Sequence, residues 1–294
     1  MAFLKISDLN LFMDGFEGSN HVLRGINLSI EQSEIWGIVG ETGSGKSMTA
    51  LSVCQLVPCP PGRFTNGSIL LEGQDLMATS EAEMHKMRGS RIGMIFQDPT
   101  TYLNPAFRIG TQLIDVALSA ARNNPSIFGE EQVRGYRNRR RMAKKISIEM
   151  LDKVGIPDAA KRCHDYPHQF SGGQKQRILI AMALIGQPKL LIADEPTTAL
   201  DVSVQAQVLS LIWSIKQERD LTVLLISHNL GVVAQLCSHV AVMLEGEIVE
   251  QGSIEEIFDN PAHEYTRRLL DALPSGNRRE RLETAAAERL ASDA

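Results

Sequence analysis

The segment Gly40-Glu41-Thr42-Gly43-Ser44-Gly45-Lys46-Ser47 restricts this chain more than any other. It satisfies G-x-x-x-x-G-K-[ST], with the nearly all-apolar run Ile35–Val39 before it and a helical pattern after it. Glycines are needed where a backbone must wrap so that successive N–H groups point at phosphate oxygens. The N-terminus of the following helix adds partial positive charge at the same place. Lys46 can then reach the β- and γ-phosphates, and the Ser47 hydroxyl can ligate Mg²⁺. A buried strand in front and a helix behind favour a phosphate loop over a chance glycine turn.

The rest of the chain is read around that loop. Met1–Leu11 alternates like a strand, and Val22, Arg24, Ile26, Leu28 and Ile30 share one face of a period-two pattern broken only by Arg24. Lys46–Leu56 reads as a helix ended by Pro58, Pro60, Pro61 and Gly62. Short strands are expected at Ile69–Leu71 and Ile92–Phe96. From about Pro99 to His168 strand signals vanish, and helices are expected at Ile109–Ala121 and Arg139–Val154 around a polar loop, Arg122–Gly135. After Ser171 come a helix, strand Leu190–Ala193, helix Ser203–Arg219 and strand Thr222–Ile226. Strands Val240–Leu244 and Glu247–Val249 then flank the Gly246 turn. Alternating strands and helices predict an α/β core with a mainly parallel sheet, into which a helical subdomain is inserted.

Composition narrows the setting. Thirty Lys plus Arg against 35 Asp plus Glu give a net charge of -5, which argues against a general nucleic-acid binder. The longest apolar run, Ile178–Ile185, falls far short of the ~20 residues of a membrane-spanning helix. Lys5 and Asp8 interrupt the N-terminal segment, so it does not read as a signal peptide. Cys54, Cys59, Cys163 and Cys237 form no C-x-x-C pair and no metal-ligand spacing, which fits a reducing compartment and no disulfide framework.

Two further segments carry chemistry. Leu190-Leu191-Ile192-Ala193-Asp194-Glu195 is an apolar strand ending in carboxylates, at the sheet edge where such folds place their phosphate loop. Asp194 would hold magnesium through its waters, and Glu195 would polarise an attacking water. Ser171-Gly172-Gly173-Gln174-Lys175-Gln176-Arg177 begins with a capping box, Ser171 to Gln174, whose two glycines leave the first helical N–H groups open. Such a start is a well-capped helix without a ligand or equally a second phosphate site, far along the chain from Lys46.

These residues resemble the signature motif of ATP-binding cassette (ABC) proteins, where each subunit's signature helix caps the ATP held by its partner. Gln97 resembles the Q-loop glutamine that contacts magnesium and the attacking water. Ala199-Leu200-Asp201 resembles the D-loop along the dimer interface, and His228 the switch histidine that steadies the γ-phosphate and Glu195. The resemblance spans about residues 4–274. It implies a P-loop NTPase core with a mainly parallel sheet, an N-terminal antiparallel β subdomain and an inserted α-helical subdomain. The corresponding boundaries are 1–98 and 169–274 for the core, 99–168 for the insertion and 275–294 for a charged tail read as a solvated or frayed helix.

A narrower resemblance is to the dipeptide, oligopeptide and nickel importer branch. It rests on Phe96-Gln97-Asp98-Pro99, Leu103-Asn104-Pro105, Ala193 to Val202, Tyr166-Pro167-His168-Gln169, Ala262 to Thr266, Leu269-Leu270 and Pro274. The chain departs from the branch at Glu264, where proline is usual, at Asn229, where aspartate is usual, and at Phe170, where leucine is usual. Many relatives continue into a cysteine-bearing segment that ligates an iron–sulfur cluster. With no cysteine after Cys237, no cluster is expected here. Phe16 is the expected adenine-stacking aromatic, with Phe12 its rival.

The resemblance implies an ATP- and Mg²⁺-dependent ATPase at the cytoplasmic face of the plasma membrane, energising an importer. Its expected partners are a second ABC ATPase subunit (a paralogue rather than a copy), two integral membrane permease subunits and, indirectly, an extracytoplasmic solute-binding protein. The competing readings are a soluble ABC ATPase of DNA repair or translation, and a small-molecule phosphotransferase. The first tends to carry tandem cassettes, coiled coils or zinc modules; the second leaves Ser171–Arg177 unexplained. Two features stay open: the basic cluster Arg134–Lys145, a solvated helix face or a contact for anionic headgroups, and Phe96–Tyr102, core or a groove for a permease helix.

Overall fold

Strands β1 (Leu4–Gly15) and β2 (Gly18–Ile30) pair antiparallel from Leu4↔Ile30 to Gly15↔Gly18. Ile26, Leu28 and Ile30 face the core as the alternation predicts, but Leu23 is buried in place of Val22, and Arg24 is exposed. The reason is a bulge: Leu9 pairs with Ile26 and Leu11 with Leu23, so β2 carries an extra residue at Gly25, which has φ +67. One inserted residue reverses the phase of a period-two pattern. The computed structural model describes residues 2–16, 18–129, 133–197 and 200–272.

The chain continues into β3 (Ile35–Val39), buried throughout, and α1 (Lys46–Val53). Helix α1 stops short of the predicted Leu56 because Gln55 takes a left-handed φ of +48. Its N–H bonds Ser52 O at 3.0 Å, and Leu56 N–H bonds Leu51 O at 2.8 Å, a Schellman ending that precedes the prolines. Strands β4 (Gly62–Leu71) and β5 (Gln74–Asp75) complete an antiparallel sheet of order β2-β1-β4-β5.

Two compact units divide at Thr79–Ser80 and Leu221–Thr222, one drawing on both ends of the chain and the other on its middle. The middle unit runs through α2 (Glu81–Met87), β6 (Ile92–Ile95), α3 (Pro99–Tyr102), α4 (Ile109–Asn123) and α5 (Tyr136–Lys153). It ends with α6 (Ala159–Arg162), α7 (Gly172–Leu184), β7 (Leu190–Asp194) and α8 (Val202–Glu218). Strands β6 and β7 are parallel, from Ile92↔Leu190 to Ile95↔Ala193. Helix α4 packs on α5, burying Leu113, Ala117 and Ala121 on one side and Ala143, Met150 and Leu151 on the other. Burying a Leu or Met side chain contributes about 1.5–3 kcal/mol, enough to hold two otherwise polar helices together. Within the stretch read as a polar loop, Pro125–Phe128 forms a 3₁₀ turn that buries Ile127 and Phe128.

The first unit resumes with β8 (Thr222–Ser227), α9 (Leu230–Leu236), β9 (His239–Leu244), β10 (Glu247–Ser253), α10 (Ile254–Asp259) and α11 (Glu264–Asp271). Strand β3 lies parallel to both β8 and β9, and β10 turns back antiparallel on β9. Parallel strands are covered on both faces, which explains why Ile35–Val39 and Val223–Ile226 read as unbroken apolar runs. The fold is α/β, with a mainly parallel sheet, an N-terminal antiparallel sheet and helices in the middle of the sequence. Thr198, Ala199, Pro274 and the tail 275–294 lie outside the described residues. Among the described residues no helix is long and apolar enough to cross a membrane.

Candidate functional site

At the C-terminal end of β3 the backbone leaves the sheet through Gly40, Gly43 and Gly45, whose φ values are +156, +88 and +102. A Cβ on Gly40 would lie 2.2 Å from Met243 O, and one on Gly45 would lie 2.9 Å from Leu23 Cδ2. The loop is held from within by Ser44 N–H donating to Glu41 O at 3.2 Å, and from outside by Gly246 N–H donating to Ser44 O at 3.0 Å. Lys46 is only 5% exposed; its Nζ donates to Gly40 O at 2.8 Å and Glu41 O at 2.6 Å. The ammonium is therefore folded into the loop on neutral carbonyls, which phosphate oxygens would out-compete as charge-assisted acceptors. Ser47 follows as the second residue of α1.

Tyr265 is a contact that the sequence reasoning missed. Its hydroxyl, on α11, accepts the Glu41 N–H at 2.9 Å, and burial pushes its phenol above the ordinary value. The only signal was the run Ala262–Thr266, read as a family marker. The unusual Glu264 is the first residue of α11, a position where proline and an acidic side chain both suit a helix start.

His228 follows β8 and is exposed. Asn229 caps α9, its Oδ1 accepting Gly231 N–H at 2.9 Å. Asparagine and aspartate cap helices about equally well, so this departure leaves the helix start intact. Phe16, just beyond β1, is fully exposed. Phe12 instead stacks on His21 at 4.0 Å, with the Arg63 guanidinium 5.3 Å from its ring centre.

In the middle unit, Asp194 ends β7 at 6% exposure, and Glu195 takes a left-handed φ of +46. Such a backbone costs a non-glycine residue about 1–3 kcal/mol and is found where surrounding structure enforces it. The register Ile95↔Ala193 places Gln97 and Glu195 two residues beyond the same rung of the ladder. Gln97 Nε2 donates to Glu195 Oε2 at 2.8 Å, which leaves the amide oxygen of Gln97 out of that bond. The next residue anchors the loop: Asp98 accepts from the Thr101 hydroxyl at 2.5 Å and from Thr100 N–H at 2.8 Å, and the two hold its carboxyl below the usual range. Phe96 stacks on Tyr102 at 4.1 Å, while Tyr102 is 48% and Phe107 53% exposed, so this aromatic run is largely surface.

The predicted capping box is present at α7. Ser171 Oγ accepts Gln174 N–H at 3.3 Å, and Gln174 Oε1 accepts Ser171 N–H at 3.2 Å. A Cβ on Gly172 would meet nothing within 4 Å, whereas one on Gly173 would lie 2.6 Å from Val204 Cγ1 of α8. The first glycine leaves an open face and the second permits close packing. Phe170 is buried with the Arg162 guanidinium 4.1 Å from its ring centre, a cation–π contact that the usual leucine would not make. Asp201 caps α8 by accepting Val204 N–H at 2.9 Å.

The side chains put forward as magnesium ligands are a hydroxyl (Ser47), a carboxylate (Asp194) and an amide (Gln97), all offering hard oxygen donors. Among the described residues no group of three His, Cys, Asp or Glu could cage a metal. That set fits Mg²⁺, which keeps its waters and is shared with substrate phosphates, better than a metal held by protein alone.

A family model described as ABC transporter matches residues 23–198, and one described as Oligopeptide/dipeptide transporter, C-terminal region, matches residues 249–293. The chain is 46% identical over 272 residues to the oligopeptide transport ATP-binding protein OppD of Bacillus subtilis, covering 92% of this chain and 72% of that one. It is 44% identical over 271 residues to the dipeptide transport ATP-binding protein DppD of the same organism, covering 92% and 76%. A dimeric ATP-binding cassette in a post-hydrolysis state with ADP and Pi superposes with a TM-score of 0.70 at 25% identity, covering 85% of this chain and 98% of that one. The structure of cbiO1 from Clostridium perfringens, part of the ABC transporter complex cbiONQ, superposes with a TM-score of 0.70 at 27% identity, covering 93% of this chain and 96% of that one.

Proposed function

The chain belongs to the ABC transporter family, and on that premise we propose that it hydrolyses ATP to energise the uptake of peptides or a related small solute. The solute classes are dipeptides, oligopeptides and nickel or other metal chelates. The observation that carries the ATPase reading is the phosphate loop, three left-handed glycines ending at a buried lysine. The importer branch is supported by the C-terminal family match and by the names of the two Bacillus subtilis relatives. Those relatives do not favour a soluble machine of DNA repair or translation.

Gly40–Ser47 would cradle the β- and γ-phosphates of ATP, with Lys46 moving from its carbonyl partners onto phosphate oxygens. Ser47, Gln97 and Asp194 would hold Mg²⁺, which supplies charge neutralisation on the phosphates when bound. Glu195 would polarise the attacking water, Gln97 would orient Glu195, and His228 would steady the γ-phosphate. Phe16 would stack on adenine. Ser171–Gln174 and Asp201 would serve the ATP of a partner ATPase subunit, which makes turnover depend on assembly. The middle segment 99–168 is assigned as the helical subdomain inserted in the core, 1–98 with 169–274. The subunit would sit on the cytoplasmic face of the plasma membrane, against two permease subunits that receive solute from an extracytoplasmic binding protein.

Purification from detergent-solubilised membranes, followed by ATPase assay with and without peptide-loaded binding protein, tests this reading. Co-purification of integral membrane subunits and stimulated turnover are expected. ATP hydrolysis with no membrane partner recovered would overturn the importer assignment and leave the ATPase standing.

A further inference from the structure

Helices α4 and α5 and the segment after α6 line a pocket of about 260 Å³ that is open to solvent, with Arg108, Arg140, Lys144 and His164 exposed at its walls. It lies wholly in the middle unit, and none of its lining residues was given a role above. Arg108 and Thr111 line one wall, Arg140 and Lys144 a second, and His164 a third. Arg140, Lys144 and Ser147 recur at four- and three-residue spacing, so they share one face of α5.

The charge of this wall is one-sided. Among the described residues no Asp or Glu lines the pocket, although the chain as a whole carries a net charge of -5. Of the neighbouring acids, Asp165 pairs with Arg162 at 3.1 Å and Glu149 with Lys145 at 3.7 Å, while Asp115 stands exposed one turn from Thr111 on α4. The contacts of the lining cations are with aromatic rings and hydroxyls. The Arg108 guanidinium lies 5.7 Å from the Tyr166 ring centre, and Arg140 Nη1 donates to Tyr136 Oη at 3.2 Å. Concave walls of one sign focus the field and concentrate counter-ions.

The donors are side chains rather than a helix end. The first N–H groups of α4 are already used, Ile109 N–H on Asp165 O at 2.9 Å and Gly110 N–H on Cys163 O at 2.7 Å. Ser147 Oγ donates its proton to Ala143 O at 2.7 Å, so it offers an anion nothing. Two guanidinium forks, an ammonium, the Thr111 hydroxyl and an imidazole remain, and guanidinium matches phosphate oxygens two at a time.

We propose that this pocket is a binding site for a small phosphate group, independent of the ATP site. Its volume lies below the ~300–1,000 Å³ of pockets that take drug-sized ligands, so the ligand is a phosphate or pyrophosphate moiety with little attached. That chemistry is shared by a soluble phosphate ester and by the headgroup of an anionic phospholipid.

The test uses the full chain carrying Lys46→Ala, which weakens the phosphate loop, with and without Arg140→Gln and Lys144→Gln. Inorganic pyrophosphate is titrated calorimetrically, and vesicles of phosphatidylglycerol or phosphatidylcholine are tested by flotation. Removing the two cations is expected to weaken the responding ligand by roughly tenfold or more. A pyrophosphate response assigns a soluble ester; a response only to phosphatidylglycerol vesicles assigns a headgroup. Lys144→Arg should retain binding, and matched thermal melts show that the variants are folded. Pyrophosphate and vesicle binding both indifferent to the double substitution would overturn the site, as would succinate binding as tightly as pyrophosphate.

Discussion

Gln97 Nε2 donates to Glu195 Oε2 at 2.8 Å, joining the ends of two adjacent parallel strands at equal distances past the Ile95↔Ala193 pair. The amide therefore orients the carboxylate proposed as the base. Glu195→Gln keeps the shape and removes the base. ATP binding should persist, and phosphate release should fall by about 10²–10⁴-fold, the usual contribution of a positioned general base. Gln97→Ala should give a smaller loss. Wild-type turnover by Glu195→Gln in the assembled transporter would remove Glu195 from the mechanism.

Gly40→Ala places a Cβ 2.2 Å from Met243 O at a φ of +156. Backbone strain alone costs roughly 1–3 kcal/mol, and the clash adds to it. The variant should melt earlier and lose nucleotide affinity together, measured by calorimetry and by ATP titration. Unchanged melting with unchanged binding would contradict the loop geometry.

Gly172 and Gly173 separate a ligand-facing role from a packing role. Gly172→Ala meets nothing within 4 Å, so its melting temperature should match the wild type while turnover of the assembled pair drops. Gly173→Ala drives a methyl into Val204 and should destabilise by about 1–3 kcal/mol as well. Equal turnover in Gly172→Ala and wild type would leave the open face without a phosphate to receive.

Tyr265→Phe removes one hydrogen bond to the phosphate loop and should cost about 1 kcal/mol, with weaker nucleotide binding. Its pH signature has a definite sign. Because burial raises the phenol's pKa in the folded chain, the unfolded chain loses its proton first, and stability is lost as pH rises above about 10. The difference in stability between wild type and Tyr265→Phe should therefore shrink above that pH; a constant difference from pH 8 to 11 would exclude the titration.

Much of this was legible because local chemistry and tertiary demand coincide. The parallel strands had to be apolar on both faces, and Ile35–Val39 and Leu190–Ala193 were. The signature helix needed a cap, and Ser171 with Gln174 supplied it. What escaped were events set by pairing between distant segments. The bulge at Gly25 exchanged Val22 for Leu23 in the core, and nothing in β2 alone announces the extra residue. Helix α1 ended early through Gln55, a residue with no strong preference for the left-handed region. Tyr265 was invisible for the same reason: its partner is a backbone N–H 224 positions earlier.

That separation orders the maturation of the chain. The ribosome delivers Glu41 long before Tyr265, so a nascent chain carries the phosphate loop with this N–H still open to water. Only when α11 has emerged can its phenol close that position. The phosphate loop is thus translated 224 residues ahead of the phenol that completes it.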